Sequence, residues 1–406
     1  MKRIILGMCL ISYAVKGQEL KDSGSLEPVE VRAIRAGTNA PFAKTNLTYK
    51  EISHQNLGQD LPFLLNQMPS VVVNSDAGNG IGYTGIRIRG TDASRINVTL
   101  NGIPYNDAES QGTFFVDLPD FASSLKSIQV QRGVGTSSNG GGAFGATINL
   151  STNDVNREPY LQVNNSFGSF QTLKNSIIAG SGIYNNHFTT DIRLSRISSN
   201  GYIDRASSHL RSFYFSNAFL SDKTDVRLNV FSGSEKTYQA WYGVSQDDLA
   251  GNRRVNYAGT EKPGEPYDNE TDNYRQDHYQ LFLTGRWHPR LTTSAAIFFT
   301  NGLGYYEQYK ANQDYASYGM QYPVMGADTI FSTDLVRRLW LDNNFYGTVY
   351  SLLYNYKKTR LTLGGAITHY DGNHDGKVVW MEKSNASNQK YYNVDARKND
   401  ANIYGK

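Results

Sequence analysis

From residue 158 onward the chain alternates polar with apolar residues in long runs, and a period of two leaves little choice of fold. Asp191-Ile192-Arg193-Leu194-Ser195, Arg227-Leu228-Asn229-Val230 and Leu361-Thr362-Leu363-Gly364 alternate, and Tyr346, Thr348, Tyr350, Leu352, Tyr354 and Tyr356 hold every second position of another run. Successive side chains of a strand point to opposite faces, so each run presents one apolar and one polar face. Polar turns at 180–186, 221–225, 288–290 and 357–360 alternate with longer links at 197–209, 235–277, 305–339 and after 369. Short and long connections in regular succession are the pattern of a membrane β-barrel, with tight turns at one rim and extended loops at the other. Tyrosine agrees: 4 of its 28 residues lie up to Arg157 and 24 beyond it, as expected where aromatic rings settle at two lipid–water interfaces. Nine strands are expected between Tyr160 and His369, and a tenth starting at Ala401-Asn402-Ile403-Tyr404.

Residues 1–17 have another character. Lys2 and Arg3 precede an apolar run at 4–15, and Val15-Lys16-Gly17 offers a small-residue cleavage site before Gln18, the layout of a secretory signal peptide. The run has 12 residues, where a transmembrane anchor needs about 20. Cys9 lies inside it, too early for a lipoprotein box. As the only cysteine, Cys9 leaves the mature chain without a disulfide or a cysteine metal site. Without Lys2, Arg3 and Lys16, 37 basic residues face 37 acidic ones, a balance that argues against nucleic acid as a partner.

Between these regions, residues 38–153 read as a compact mixed α/β unit. Asp60-Leu61-Pro62, followed by Phe63, Leu64, Leu65 and Met68, reads as a capped short helix with proline in its first turn. Strands are expected at 71–74, 84–89, 97–100 and 127–131, and Asn101-Gly102 signals a tight turn. Two stretches are the most distinctive: PSVVVNSDAGNGIGYTGIRIRG at 69–90 and LKSIQVQRGVGTSSNGGGAFGATINLSTN at 125–153. Through Ile86-Arg87-Ile88-Arg89-Gly90 and Arg132-Gly133, this unit resembles the plug domain of TonB-dependent outer-membrane receptors; Val134 stands where that family usually has proline. The resemblance implies a plug closing the lumen of an antiparallel barrel of about 22 strands, set in the lipid of the bacterial outer membrane. Ten strands would enclose too small a lumen for such a plug, and an open sheet would leave backbone groups unpaired in lipid. Residues 158–406 are therefore expected to be the first nine to ten strands of an incomplete barrel, and Lys406 is not the aromatic residue with which such barrels usually end.

The resemblance also implies roles. Within a mobile N-terminus at 18–37, Glu27, Pro28, Val29, Glu30, Val31, Arg32 and Ala33 resemble the TonB box, which pairs as an added strand with TonB of the inner-membrane energy-coupling complex; the alternative is an ordinary edge strand. Arg87 and Arg89 fall on one side of their strand. With Arg132 they are expected to hold the plug to barrel-wall carboxylates, because buried unpaired arginines are costly; the alternative is solvation in a wet lumen. Ligand contacts are expected from the outer plug loops, through Tyr83, Tyr105 and Asn106, and from the 235–277 loop, through Trp241 and Tyr242. Tyr83, Tyr105 and Trp241 are expected to share one external vestibule, on the rim opposite Pro289; otherwise Trp241 belongs to the interfacial girdle.

Other motifs carry less. Gly78-x-Gly80-x-Gly82-x-x-Gly85 imitates a dinucleotide fingerprint without the helix that should follow, and 133–145 has no Gly-Lys-Ser/Thr of a phosphate loop. The glycines at 133–145 are expected to allow tight turns and close approach to the barrel wall. His369 and His374 could touch haem or iron but are read as solvated loop residues, with no third ligand at metal-site spacing; no metal and no resident cofactor is expected. No nucleophile elbow, zinc helix motif or catalytic cysteine is present, so the reading is import and not catalysis. Some nine residues between the cleavage site and 27–33 leave no room for a signalling or glycan-importer domain, which turns the expected ligand toward an iron chelate, haem or cobalamin. The competing readings are a passive porin or adhesin barrel, a TonB-dependent glycan importer, and an outer-membrane enzyme.

Overall fold

The computed structural model describes residues 35–36, 42–135, 142–153, 155–383 and 388–406. The signal segment and residues 27–33 lie outside the described residues. In the N-terminal unit the elements are short: β1 (Lys44–Thr48), α1 (Tyr49–Gln55), α2 (Leu61–Leu64), β2 (Val71–Ser75), β3 (Thr84–Ile88), β4 (Ile96–Leu100), β5 (Ile103–Pro104), β6 (Ser127–Arg132) and β7 (Ala146–Ser151). Five of them form a mixed sheet in the order β1-β6-β7-β4-β5, with β4 parallel to β7, while β2 and β3 pair as a separate hairpin. Asn101 and Gly102 make the β4–β5 turn with φ of 55° and 86°, the two left-handed residues that such a hairpin requires. Ile86 and Ile88 of β3 are buried and Arg87 and Arg89 exposed, as the strand period dictates.

Two details depart from expectation. α2 carries Pro62 in its first turn, but the Asp60 side chain does not cap it; the Asp60 carboxylate accepts from Thr84 Oγ1 of β3 at 3.1 Å. α1 was not legible, because its only buried residue is Ile52 and one apolar position leaves no helical stripe to read.

From Pro159 the strands lengthen: β8 (Pro159–Gly168), β9 (Thr172–Ser181), β10 (Phe188–Ser199), β11 (Ser208–Leu220), β12 (Thr224–Tyr238), β13 (Thr271–His288) and β14 (Leu291–Asp314). A loop with a small hairpin, β15 (Val324–Met325) with β16 (Asp328–Thr329), leads to β17 (Ser332–Tyr356), β18 (Thr359–Met381) and β19 (Gln389–Gly405). A short helix, α3 (Gln246–Ala250), lies in the loop after β12. The ten long strands form one sheet in which every neighbour is the next long strand in the chain. Each pairing is antiparallel, so the chain reverses at every connection. The loop bearing Trp241 and the turn bearing Pro289 therefore lie at opposite rims.

The nine strands stand where alternation put them. The tenth, β19, begins at Gln389, well before Ala401. Strand also continues through most of the links expected at 305–339 and after 369, so His369 and His374 belong to β18 and not to a loop. These outer strand ends carry polar residues on both faces, which a period of two does not distinguish from loop. The turn at 169–171 is tight although it lies on the long-loop rim.

The sheet is inverted relative to a soluble one. On β10, Asp191, Arg193 and Ser195 are buried, whereas Ile192 and Leu194 are 42% and 56% exposed. On β13, His278, Gln280 and Thr284 are buried, whereas Leu281 and Leu283 are exposed. Polar side chains turned inward and apolar ones outward suit a wall whose exterior is lipid.

The plug packs against the inner face. Its apolar core, built on Leu65, Ile88, Leu100, Leu125 and Ile128, continues into Tyr214 of β11 and Phe231 of β12. Phe121 lies 5.1 Å from the Phe231 ring and 6.1 Å from that of Tyr214. Gly133, Gly142 and Gly145 do not touch the wall. A Cβ on Gly145 would meet Thr91 of the plug itself, whereas one on Gly82 would come within 2.6 Å of Ser208 Oγ on β11, at a φ of +92° that side chains rarely adopt.

Candidate ligand vestibule

Gly82 lets the β2–β3 loop lie against the wall, and Tyr83 follows it directly. Its hydroxyl stands 2.6 Å from Asp272 Oδ2 on β13 and 3.1 Å from Glu235 Oε1 near the outer end of β12. The Tyr83 ring meets Trp241 edge-on, with centroids 6.0 Å apart and planes at 82°, a favoured aromatic geometry. Tyr105, just past β5, donates to Gln276 Oε1 at 3.3 Å and lies 5.8 Å from the His278 ring. Trp241 is also met by Tyr306 of β14 at 5.8 Å and 90°.

Tyr83, Tyr105 and Trp241, drawn from segments distant in sequence, line one cavity of about 530 Å³. Phe114, Tyr274, Tyr306 and Trp340 extend its aromatic wall, and Asp76, Asp107, Asp117 and Asp272 supply its charge. No lysine or arginine lines it among the described residues, and the lining histidine, His374, faces Glu109 at 2.9 Å. Burial pushes the Tyr83 hydroxyl well above its ordinary range, reinforced by the negative charges of Glu235, Asp272 and Asp117. Burial likewise lifts Asp76 to about 6 and Asp117 well above the carboxylate range, with Asp272 and Asp107 adding to it.

The other expected contacts fall elsewhere. Asn106 braces its own loop: its Oδ1 accepts from Val98 N–H at 2.7 Å, and its Nδ2 donates to Ile96 O and Gln111 O at 2.9 Å. Tyr242 is 52% exposed and lies off the cavity. The acids were missed in the sequence. Asp272, Tyr274, Gln276 and His278 share one face of β13 by the period of two, and that was the available signal; Asp117, in a short irregular turn, gave none.

The plug arginines are placed differently from expectation. Arg87 and Arg89 are exposed, and Arg132 is half-buried at the end of β6; none forms an ion pair with the sheet among the described residues. The buried ionic contact between plug and wall has the opposite polarity. Asp120 of the plug lies 2.6 Å from Lys174 Nζ on β9 and 3.5 Å from Arg193 Nη1 on β10, all three side chains at 1% exposure or less. Ser195 Oγ and Ser123 Oγ each donate to the same carboxylate at 2.6 Å. Burial alone would raise Asp120; Arg193 and Lys174 overcome it and hold the carboxyl below its usual range.

Comparison with known proteins follows the same division. Residues 37–147 match the family model of the TonB-dependent receptor plug domain. No curated protein sequence matches the chain. Among solved structures, the ferripyoverdine receptor of the outer membrane of Pseudomonas aeruginosa is 13% identical with a TM-score of 0.63, over 95% of this chain and 52% of its own. The ferric preacinetobactin receptor BauA of Acinetobacter baumannii is 14% identical with a TM-score of 0.60, over 86% and 50%. The ferric citrate transporter FecA is 14% identical with a TM-score of 0.65, over 94% and 56%. The chain spans about half the length of these structures. It carries the plug domain of the TonB-dependent outer-membrane receptors, followed by strands with the fold of their barrels.

Proposed function

We propose that the chain serves energy-driven import of a scarce small molecule across the bacterial outer membrane, with the aromatic cavity as the place where the molecule is received. One observation carries this reading: Tyr83 joins the two moving parts of such a machine. It belongs to the plug, it lines the cavity, and its hydroxyl bonds to the wall at Asp272. A molecule that engages Tyr83 and Trp241 competes for that bond and so loosens the plug's apex. Import then needs a pull from the periplasmic side, for which residues 27–33 are the proposed grip and TonB the proposed partner. The ligand class is an iron chelate, haem or cobalamin, in keeping with ferric-chelate proteins among the structures of similar fold. Nothing in the proposed cycle makes or breaks a covalent bond.

The test is deletion of residues 27–33, with surface binding and whole-cell accumulation measured for haem, cobalamin and ferric chelates of positive, zero and negative charge. Retained binding with lost accumulation is the expected result. Accumulation that survives the deletion would point to a passive pore and end the import reading.

A further inference from the structure

The charge inside the vestibule specifies more than its size does. Asp117 is 7% exposed and lines the cavity, yet its carboxylate has no hydrogen-bond or ion-pair partner among the described residues. Its neighbours make the situation worse: the charges that act on it are those of Asp272 and Asp107, and no base is among them. Burying a carboxylate without a partner is expensive, and a native site that keeps one waits for a counter-charge or a proton. The rings of Tyr83, Tyr105, Tyr274 and Trp241 line the same cavity. Aromatic faces attract cations, and they do so most strongly where water is excluded. Among the described residues no cluster could hold a metal ion, and a cavity of about 530 Å³ is far larger than a bare ion needs.

We infer that the vestibule selects a ligand bearing an organic ammonium group, seated on Asp117 and enclosed by the rings of Tyr83, Tyr105 and Trp241. This rests on the import reading and narrows it: an anionic chelate would face four carboxylates with no lysine or arginine to meet it. Burial favours the protonated form of the Asp117 carboxyl, so the arriving cation competes with a proton for it. The other titratable groups lining the same cavity are Asp76, Asp107, Asp272 and His374 with Tyr83, Tyr105, Tyr274, Tyr305, Tyr306 and Tyr392, and Glu235 lies behind Tyr83. Arg338 and Lys377 stand over the rings of Tyr305 and Trp340 but do not themselves line the cavity.

The experiment uses the full chain in detergent and three probes: choline, its neutral carbon isostere 3,3-dimethylbutanol, and ferric citrate. Trp241 and Trp340 both line the cavity, so their fluorescence reports occupancy. The expected result is saturable choline binding with a Kd of about 1 mM or tighter, at least about tenfold tighter than for the isostere, and none for ferric citrate. Calorimetry in buffers of different ionisation heat should show proton release on choline binding. Asp117→Asn preserves shape and breaks no bond, and it should weaken choline at least about tenfold and abolish the proton release. Absent choline binding, equal binding of the isostere, buffer-independent heats or an unaffected Asp117→Asn variant would each overturn the inference. Accumulation of ferric citrate that depends on residues 27–33 would do so too, while leaving the import reading intact.

Discussion

Gly233 of β12 lies so close to the plug that a Cβ built on it would come within 2.1 Å of the Asp117 carbonyl oxygen. The same atom would sit 2.7 Å from Pro119 Cδ. Backbone cannot yield as a side chain can, so the turn holding Asp117 is seated by the absence of a side chain on the wall. Gly233→Ala should therefore lift residues 115–124, at a cost of about 1–3 kcal/mol. Hydrogen exchange of that segment should quicken. Gly251→Ala is the control, since its nearest neighbour would be 3.9 Å away, and unchanged exchange in Gly233→Ala would show that the plug does not rest on this contact.

Asp120→Asn removes the charge that neutralises two buried bases. Lys174 and Arg193 are then left in the interior without a carboxylate, which is worth about 3–5 kcal/mol. The plug should become protease-sensitive at a lower temperature while the ten strands stay protected. The double change Asp120→Asn with Lys174→Met should recover part of the loss. Equal protease resistance of Asp120→Asn and the parent protein would refute the latch.

Asp60 supplies a pH dependence with a defined sign. Burial lifts its carboxyl to about 8, against a partial opposing effect of the Thr84 hydrogen bond. The folded state thus holds a proton that the unfolded chain has released, and stability falls as pH rises between about 4 and 8, by up to about 1.4 kcal/mol per unit. Asp120, with its lowered carboxyl, acts only in more acid solution, where protonation weakens the fold. Protection of the α2–β3 region should therefore decline from pH 5 to pH 8, and Asp60→Asn should flatten the profile. A slope that persists in Asp60→Asn assigns it to another group.

Trp241→Ala should weaken choline binding by about 1–3 kcal/mol, in the manner of aromatic anchors, whereas Tyr242→Ala should leave it within about twofold. Equal effects of the two changes would mean that the loop acts through its fold and not through the Trp241 ring.

The fold was more legible than the site, for a physical reason. A strand declares itself locally: alternation at 191–195 or 361–364 needs no knowledge of the partner strand, and Asn101-Gly102 needs only its own dihedral angles. Trp241 could be placed at the long-loop rim by strand alternation, and Tyr83 and Tyr105 beside it only because the resemblance puts the outer plug loops there. Partners are another matter. Tyr83 meets Asp272 across 189 residues of sequence, and Asp120 meets Lys174 and Arg193 through a docking geometry that no periodicity encodes. The side of the strand on which Arg87 and Arg89 project could be read, but not what that side would meet. The outer halves of β14, β17 and β18 were hidden for the converse reason: beyond the lipid their two faces are chemically alike.

Because each long strand pairs with its successor, the wall can assemble hairpin by hairpin, with little chain-closure entropy at each step. The ionic contact of Asp120 and the rings around Phe121 fall on β9 to β12, which with β8 are the first strands after the plug in the chain. These seats, one lysine and one arginine among them, are complete without β13 to β19. A plug seated on four strands lets the rest of the wall be laid down around its stopper.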